Sequence, residues 1–204
     1  MTRLLLVRHG ETDLNTQSRM QGQSDAPLNE QGRQQAEALK NRLAGETIHA
    51  VICSDLRRAW ETGTILTRRL GLSLTPDPRL REMDFGGWEG LSYEEIQARD
   101  PDVLARWGAD VMDFTPPGGE NLRRFAKRVE PLLAEMAQKY EKETVLLVAH
   151  GGSLQLLVAL ALGLSPEKYW QFYLKPGSIS ELTIYPEGAI VNLLNDTCHL
   201  KEKT

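Results

Sequence analysis

Cysteine is scarce in this chain: of 204 residues only Cys53 and Cys198 carry a thiol. At most one internal disulfide can form, so a small secreted scaffold stapled by disulfides is excluded and free thiols are expected. An excess of positive charge is absent too, with 24 Lys plus Arg against 28 Asp plus Glu and a formal net charge of −4. Without a basic block, electrostatic capture of nucleic acid or of an anionic membrane is not expected, although a local basic pocket is compatible with that total. The N-terminal apolar run, residues 4–7, stops at Arg8, too short for a signal-peptide core or a membrane span, which predicts a cytoplasmic protein. Repeats, low-complexity tracts and linkers are not evident, which predicts a single domain over residues 1–204.

What remains is a globular composition. With 41% hydrophobic and 25% charged residues the chain can bury a real core. Leu4, Leu5, Leu6 and Val7 read as a buried strand ending in Arg8-His9-Gly10. A surface helix is predicted over 29–44, capped by Asn29 and closed by Gly45 in a left-handed conformation. A second strand over 48–54 and a helix over 56–70 stopped by Gly71 follow. Glycines and prolines between 76 and 90 mark loops, after which Ser92 and Glu95 have capping-box spacing for a helix that Pro101 ends. The apolar stripe Leu122, Phe125, Val129, Leu132, Leu133, Met136, Tyr140 predicts one long helix, kinked rather than divided at Pro131. A third buried strand over 144–149 ends in His150-Gly151-Gly152 and leads into a helix over 153–162 with Gly163 at its end. Two final runs, 180–185 and 189–194, flank Pro186-Glu187-Gly188 as an edge hairpin.

Strands alternating with helices predict an α/β fold, a mostly parallel central sheet with helices on both faces, whose ligands bind at the carboxyl ends of the strands. Three strand ends deliver Arg8 with His9, Arg57 and Arg58, and His150 to that edge. Guanidinium forks match phosphate oxygens, and a helix opening after His150-Gly151-Gly152 aims its free N–H groups at the same place. The rival readings have less in the sequence. A two-histidine metal site lacks an H-E-x-x-H pair or a third ligand, so no metal is expected. No G-x-x-x-x-G-K-[ST] is present, and Gly86-Gly87 with Gly90 lacks the strand-to-helix setting of a dinucleotide loop. Six residues after Cys53 stands Ala59, where a cysteine phosphatase needs arginine. Cys53 therefore reads as a core residue.

Taken together the motifs resemble the histidine phosphatase superfamily, also described as phosphoglycerate mutase-like. The resemblance rests on Leu6-Val7-Arg8-His9-Gly10-Glu11-Thr12 with Asn15, continued by Gln21-Gly22, Asp25, Pro27-Leu28, Gly32, Gln35 and Ala36. Ser54, Leu56, Arg58, Ala59 and Thr62 carry it further and select Arg58 over Arg57, which is read as a surface charge. Leu80-Arg81-Glu82, Phe85-Gly86, Trp88-Glu89-Gly90, Gly118-Gly119-Glu120 and Val148-Ala149-His150-Gly151-Gly152 complete it. The resemblance implies His9 as nucleophile, Glu82 as the acid that protonates the departing alkoxide and later activates water, and Arg8, Arg58 and His150 on the phosphoryl oxygens. It further implies Asn15, Gln21, Gly22 and Gly151 as phosphate or substrate contacts, Glu11 as an orienting residue, and no cofactor, because positive side chains substitute for a metal ion. Trp88, Trp107 and Phe114 are expected to fill core rather than line a lid, although a helical lid-like insertion is expected within about residues 85–140. His49 and His199 receive no role.

Leu14 stands where mutases of the superfamily typically carry tryptophan, and the chain is compact, so a phosphatase is favoured over a cofactor-dependent mutase. The ending Leu194-Asn195-Asp196-Thr197-Cys198-His199-Leu200 resembles the α-ribazole phosphatase branch, and Phe85 offers an aromatic contact to a bulky leaving group. The expected partner is a small phosphomonoester, α-ribazole 5′-phosphate first. Broad-specificity, phosphoserine and mutase activities stay open as alternatives, as does a catalytically silent binder of phosphorylated ligands. The apolar edge hairpin is compatible with a homodimer.

Overall fold

The structure is a computed structural model that describes residues 1–200. Its centre is a six-stranded sheet in the order β3-β2-β4-β1-β5-β6, formed by β1 (Thr2–Arg8), β2 (Ala50–Cys53), β3 (Leu74–Pro76), β4 (Thr144–Ala149), β5 (Ile179–Tyr185) and β6 (Gly188–Asp196). The first four run parallel, and the hairpin β5-β6 closes one edge in antiparallel sense. β4 is buried along its whole length, as expected for a central strand covered on both faces.

Alternation of side chains along the strands divides the core into two layers. Leu4, Leu6, Ile52, Val145 and Leu147 face one side. They pack there against Leu122, Phe125 and Val129 of α6 (Leu122–Val129), Leu132 and Met136 of α7 (Pro131–Lys139) and Leu154 and Leu157 of α8 (Gly151–Ala161). Leu5, Val7, Val51, Cys53, Leu146 and Val148 face the other side, against Leu39 of α2 (Glu30–Arg42), Leu43 just beyond it, and Ala59 and Leu66 of α3 (Arg57–Leu70). A third, smaller cluster joins Trp88, Ile96 and Leu104 under α4 (Tyr93–Arg99) and α5 (Pro101–Ala109), with Trp107 and Phe85 packed against it. Trp88 is wholly buried and its indole donates to Asp100, so this ring fills core.

Helix boundaries follow local chemistry with four departures from expectation. The Asn29 side chain caps α2 by accepting from Gly32 N, but the helix ends at Arg42, with Leu43 donating to Leu39, before Gly45 is reached. Gly45 is therefore not the left-handed closing residue. The long stripe is divided rather than merely kinked: α6 and α7 are two helices meeting at Glu130, which keeps helical angles (φ −51°, ψ −45°). Pro131 has no N–H to continue the ladder, so the apolar face runs on while the hydrogen bonds stop. Pro101 ends α4, whose Ser92–Glu95 capping box is formed, and also opens the unforeseen α5, a first-turn position where a missing N–H costs nothing. Helix α8 begins at Gly151, two residues before its expected start, and short α1 (Asp13–Thr16) is stabilised by a capping box from Thr12 to Asn15.

Two glycines let α2 pack directly on the loop after β1. A Cβ on Gly10 would lie 2.3 Å from the Gly32 carbonyl oxygen, and one on Gly32 would lie 2.1 Å from the Glu11 oxygen. Backbone must move to admit either. Gly32→Ala is expected to cost about 1–3 kcal/mol through overpacking, read as a lowered urea midpoint with an unchanged slope.

Candidate active site

The register of the parallel sheet builds the site. Arg8 of β1 pairs with Ala149 of β4, so the next residues, His9 and His150, leave neighbouring strands side by side, with ring centroids 5.1 Å apart. Cys53 of β2 pairs with Val148, which places Ser54 beside the same edge, and its Oγ lies 2.7 Å from His150 Nε2. From the first turn of α3, Arg58 points back into the group: its Nε donates to His9 Nε2 at 3.3 Å.

The protonation state of His9 is legible from its partners. Nδ1 lies 2.7 Å from the Gly10 carbonyl, which only accepts, so the ring proton sits on Nδ1 and the lone pair on Nε2. The ring is buried, and burial together with Arg58 and Arg8 holds its pKa well below the ordinary value of 6.5. The result is a neutral imidazole whose Nε2 carries the lone pair, which here accepts from Arg58 Nε.

Two cations belong to this cluster, Arg58 buried and Arg8 partly buried. Arg58, 1% exposed, donates through Nη1 to Ser24 O at 2.7 Å and through Nη2 to Gly22 O at 2.6 Å, so it shapes the loop that the sequence assigns to phosphate. Burial pushes its pKa down to about 10, which leaves it charged near neutral pH. Gly22 has φ +53°, and a Cβ there would lie 2.0 Å from Glu89 Oε1. Arg8 donates from Nη1 to the Leu174 carbonyl at 2.5 Å, and burial lowers its pKa while Glu82 counteracts. Arg8 Nε and His150 Nδ1 are buried polar atoms with no hydrogen-bond partner among the described residues. Burial, then Arg58 and His9, pulls the His150 pKa well down. Unmatched donors beside guanidinium groups are the polarity an oxyanion satisfies.

Glu82 approaches from the opposite wall. Its Oε2 accepts from Gly152 N and its Oε1 from Met83 N, both at 2.9 Å, so the carboxylate rests on the N-terminus of α8. The pair of glycines after His150 is a matter of space. A Cβ on Gly152 would lie 2.2 Å from Glu82 Oε1, and one on Gly151 would sit 3.2 Å from Arg8 Cζ. Thr12 Oγ1 donates to Gln21 Oε1 at 2.9 Å and Thr12 N donates to Asn15 Oδ1 at 3.1 Å, which engages both amide oxygens and leaves their NH₂ groups as the remaining donors.

Arg8, His9, Arg58, Glu82 and His150 thus converge, joined through hydrogen bonds by the loop of Gln21 and Gly22. The structure adds residues to which the sequence reading gave no role. Ser54 orients His150, and Thr62 accepts from Gly10 N at 3.1 Å while donating to Arg58 O. Glu89 accepts from Gln23 N at 2.7 Å, and burial raises its pKa. Nothing local distinguishes these side chains; only their partners, far along the chain, do. Arg57 is exposed and pairs with Glu61. His49 accepts from Thr144 N, His199 lies against the Gly177 carbonyl, and Cys53 is a buried thiol whose pKa burial raises; none of them joins the cluster. Among the described residues no group of three or more His, Cys, Asp or Glu is placed to share a metal ion, and no helix is long and apolar enough to cross a membrane.

Fold and site define an α/β protein with an oxyanion pocket at the carboxyl edge of its sheet, built around a neutral imidazole. Residues 4–197 match the histidine phosphatase superfamily (branch 1), and the chain belongs to that family. It is 40% identical over 176 residues to glucosyl-3-phosphoglycerate phosphatase of Mycobacterium tuberculosis, covering 82% of this chain and 78% of the relative. A bifunctional protein of Mycobacterium tuberculosis is 39% identical over 201 residues, 98% of this chain, which spans only 55% of that relative's length. The crystal structure of the α-ribazole phosphatase from Shigella flexneri superposes with a TM-score of 0.89 at 32% identity, covering 95% of this chain and 96% of the other.

The two buried imidazoles make stability depend on pH. Below about pH 6.5 the unfolded chain protonates both, whereas the folded chain keeps them neutral until far lower pH. Their contribution is fully present above that pH and is lost as the pH falls. Between pH 7.5 and 5 the urea midpoint is expected to fall for the wild type and to fall less steeply for His150→Asn; parallel slopes would refute the assignment.

Proposed function

We propose that the chain hydrolyses phosphomonoesters without a metal ion, through a phosphohistidine formed on His9. The observation that carries this reading is the His9 ring itself, its Nδ1 proton committed to the Gly10 carbonyl and its Nε2 facing Arg58. In the first step Nε2 attacks phosphorus and the N–P bond forms. The P–O bond to the leaving group breaks, and the departing oxygen takes a proton from Glu82. In the second step water attacks phosphorus and gives its proton to the Glu82 carboxylate. The N–P bond then breaks, releasing inorganic phosphate and restoring the lone pair. Division into two displacements replaces one difficult step by two easier ones. Arg8 and Arg58 neutralise the nonbridging oxygens, the neutral His150 ring donates a hydrogen bond to them, Asn15 and Gln21 add amide donors, and Gly22 and Gly151 bring backbone close to the phosphoryl group.

For the leaving group we propose a bulky alcohol that bears an aromatic base, α-ribazole 5′-phosphate being the first candidate substrate. Two observations support it. Tyr173, 64% exposed, adjoins Leu174, whose carbonyl holds Arg8, and so offers an aromatic face at the rim; Trp170 nearby in the chain is 69% exposed. Phe85, the residue first suggested for this contact, is partly buried with its ring edge-on to Trp107 at 6.4 Å and serves packing as well.

Phosphate release from α-ribazole 5′-phosphate, glucosyl-3-phosphoglycerate, phosphoserine, 3-phosphoglycerate and an aryl phosphate, all in excess EDTA, tests both levels. Wild type is expected to turn over at least one ester in EDTA and His9→Ala none; release that EDTA stops would sink the metal-independent mechanism. Turnover of α-ribazole 5′-phosphate no faster than of the aryl phosphate would remove the proposed substrate. Gly152→Ala, which drives a methyl group into Glu82, is expected to lower kcat/KM about tenfold or more while leaving the far-ultraviolet spectrum intact.

A further inference from the structure

The Glu82 side chain is held by two N–H groups of the main chain, but the backbone that carries it is loop, between the turn Pro78–Leu80 and the turn Gly86–Trp88. The group that holds this loop is Arg128, in the last turn of α6. Its Nη1 donates to the carbonyls of Arg79 and Arg81, both at 2.8 Å. Its Nη2 donates to the Glu82 carbonyl at 2.7 Å and to Glu120 Oε1 at 2.6 Å, and its Nε to Glu120 Oε2 at 3.2 Å. A guanidinium has five N–H donors, and here all five are used. The pair is well shielded, with side chains 21% and 13% exposed, and the guanidinium stacks 4.6 Å from the Phe125 ring centre.

Glu120 extends the grip. Its Oε1 accepts from Asp84 N at 3.0 Å and its own N donates to Asp84 O at 2.9 Å. Carbonyls 79, 81 and 82 and the amide of 84 therefore converge on one ion pair. Three carbonyl dipoles aimed at one point repel each other unless a cation stands there, so the chain conformation that presents Glu82 depends on the charge and on the planar fork. A lysine ammonium, a point charge with three donors, cannot span these positions.

We propose that Arg128, backed by Glu120, is a positioning residue for proton transfer: it acts only through the backbone of residues 79–84 and sets where the Glu82 carboxyl meets the leaving oxygen. This rests on Glu82 being the proton donor, and the test separates the two ideas by leaving-group dependence. In kcat/KM, which reports phosphoryl transfer to His9, an alkyl phosphate needs a proton on its leaving oxygen and 2,4-dinitrophenyl phosphate does not. Arg128→Lys is expected to lower kcat/KM about tenfold to a hundredfold for glycerol phosphate and less than about threefold for the dinitrophenyl ester, with Glu82→Gln showing the same selectivity more strongly. Equal losses on both esters, or none on either, in Arg128→Lys while Glu82→Gln discriminates would overturn the proposal. A Glu82→Gln variant that does not discriminate would instead overturn the reading of Glu82. If Arg128→Lys does not fold by circular dichroism, Glu120→Gln, which keeps shape and removes charge, is expected to show the same selectivity, and equal losses there would equally refute it.

Discussion

Everything in this site follows from burying two guanidinium groups beside one unprotonated imidazole. Arg8 and Arg58 are both withdrawn from water, and burial weakens the hold of each on its proton. Such an arrangement is unfavourable unless carbonyl dipoles and a carboxylate compensate. Leu174, Gly22 and Ser24 supply the carbonyls, and Glu82 is the carboxylate that acts on both arginines. Compensation is incomplete: among the described residues Arg8 Nε has no acceptor and His150 Nδ1 no partner. A dianion with three peripheral oxygens answers that deficit. The same positive surroundings keep His9 from protonating, so one constraint both creates the anion pocket and preserves its nucleophile.

The sheet makes this possible because parallel strands end together. The pairing of Arg8 with Ala149 and of Cys53 with Val148 determines that His9, Ser54 and His150 emerge in one row. A slip of one residue would turn His9 to the opposite face. The helices that follow are then obliged to begin at the site, and small residues accommodate the crowding: Gly10 against α2, Gly151 against Arg8, Gly152 against Glu82. Main-chain geometry, rather than any one side chain, is what this family signature encodes.

Much of the arrangement was legible in the sequence. Buried strands, capped helices and the residues at strand ends carry local signals, and two histidines each followed by glycine at such ends are hard to place anywhere else. Roles for Glu82, Asn15, Gln21 and Gly22 came from resemblance, because a loop carboxylate or amide has no periodicity to betray it. Arg128 escaped the reading, and Glu89, quoted within a motif, received no role, for a related reason: Arg128 lies on a helix whose apolar stripe explains its neighbours, and its significance resides in carbonyls 46 to 49 residues away. Gly45 and Pro131 show the reverse limit. A glycine within reach of a helix end does not close it if an earlier hydrogen bond does, and a proline can stop a ladder while the apolar stripe runs on.

The chemistry and the choice of ester reside in different parts of the molecule. Under the proposed mechanism the groups that meet the phosphoryl oxygens come from strand ends and from the start of α3 and touch the phosphate rather than what it leaves behind, while relatives of similar resemblance carry names for different substrates. Discrimination has to come from groups that touch the leaving group, and Tyr173, next to the Leu174 carbonyl that holds Arg8, stands exposed there. Exposed aromatic surface at the mouth of a strongly cationic pocket suits a substrate whose phosphate is anchored first and whose apolar part is selected second. Under the proposed function the arginines anchor the phosphate and the residues around the leaving group select the ester, so exchange of the latter is expected to change the substrate without disturbing His9 or Glu82.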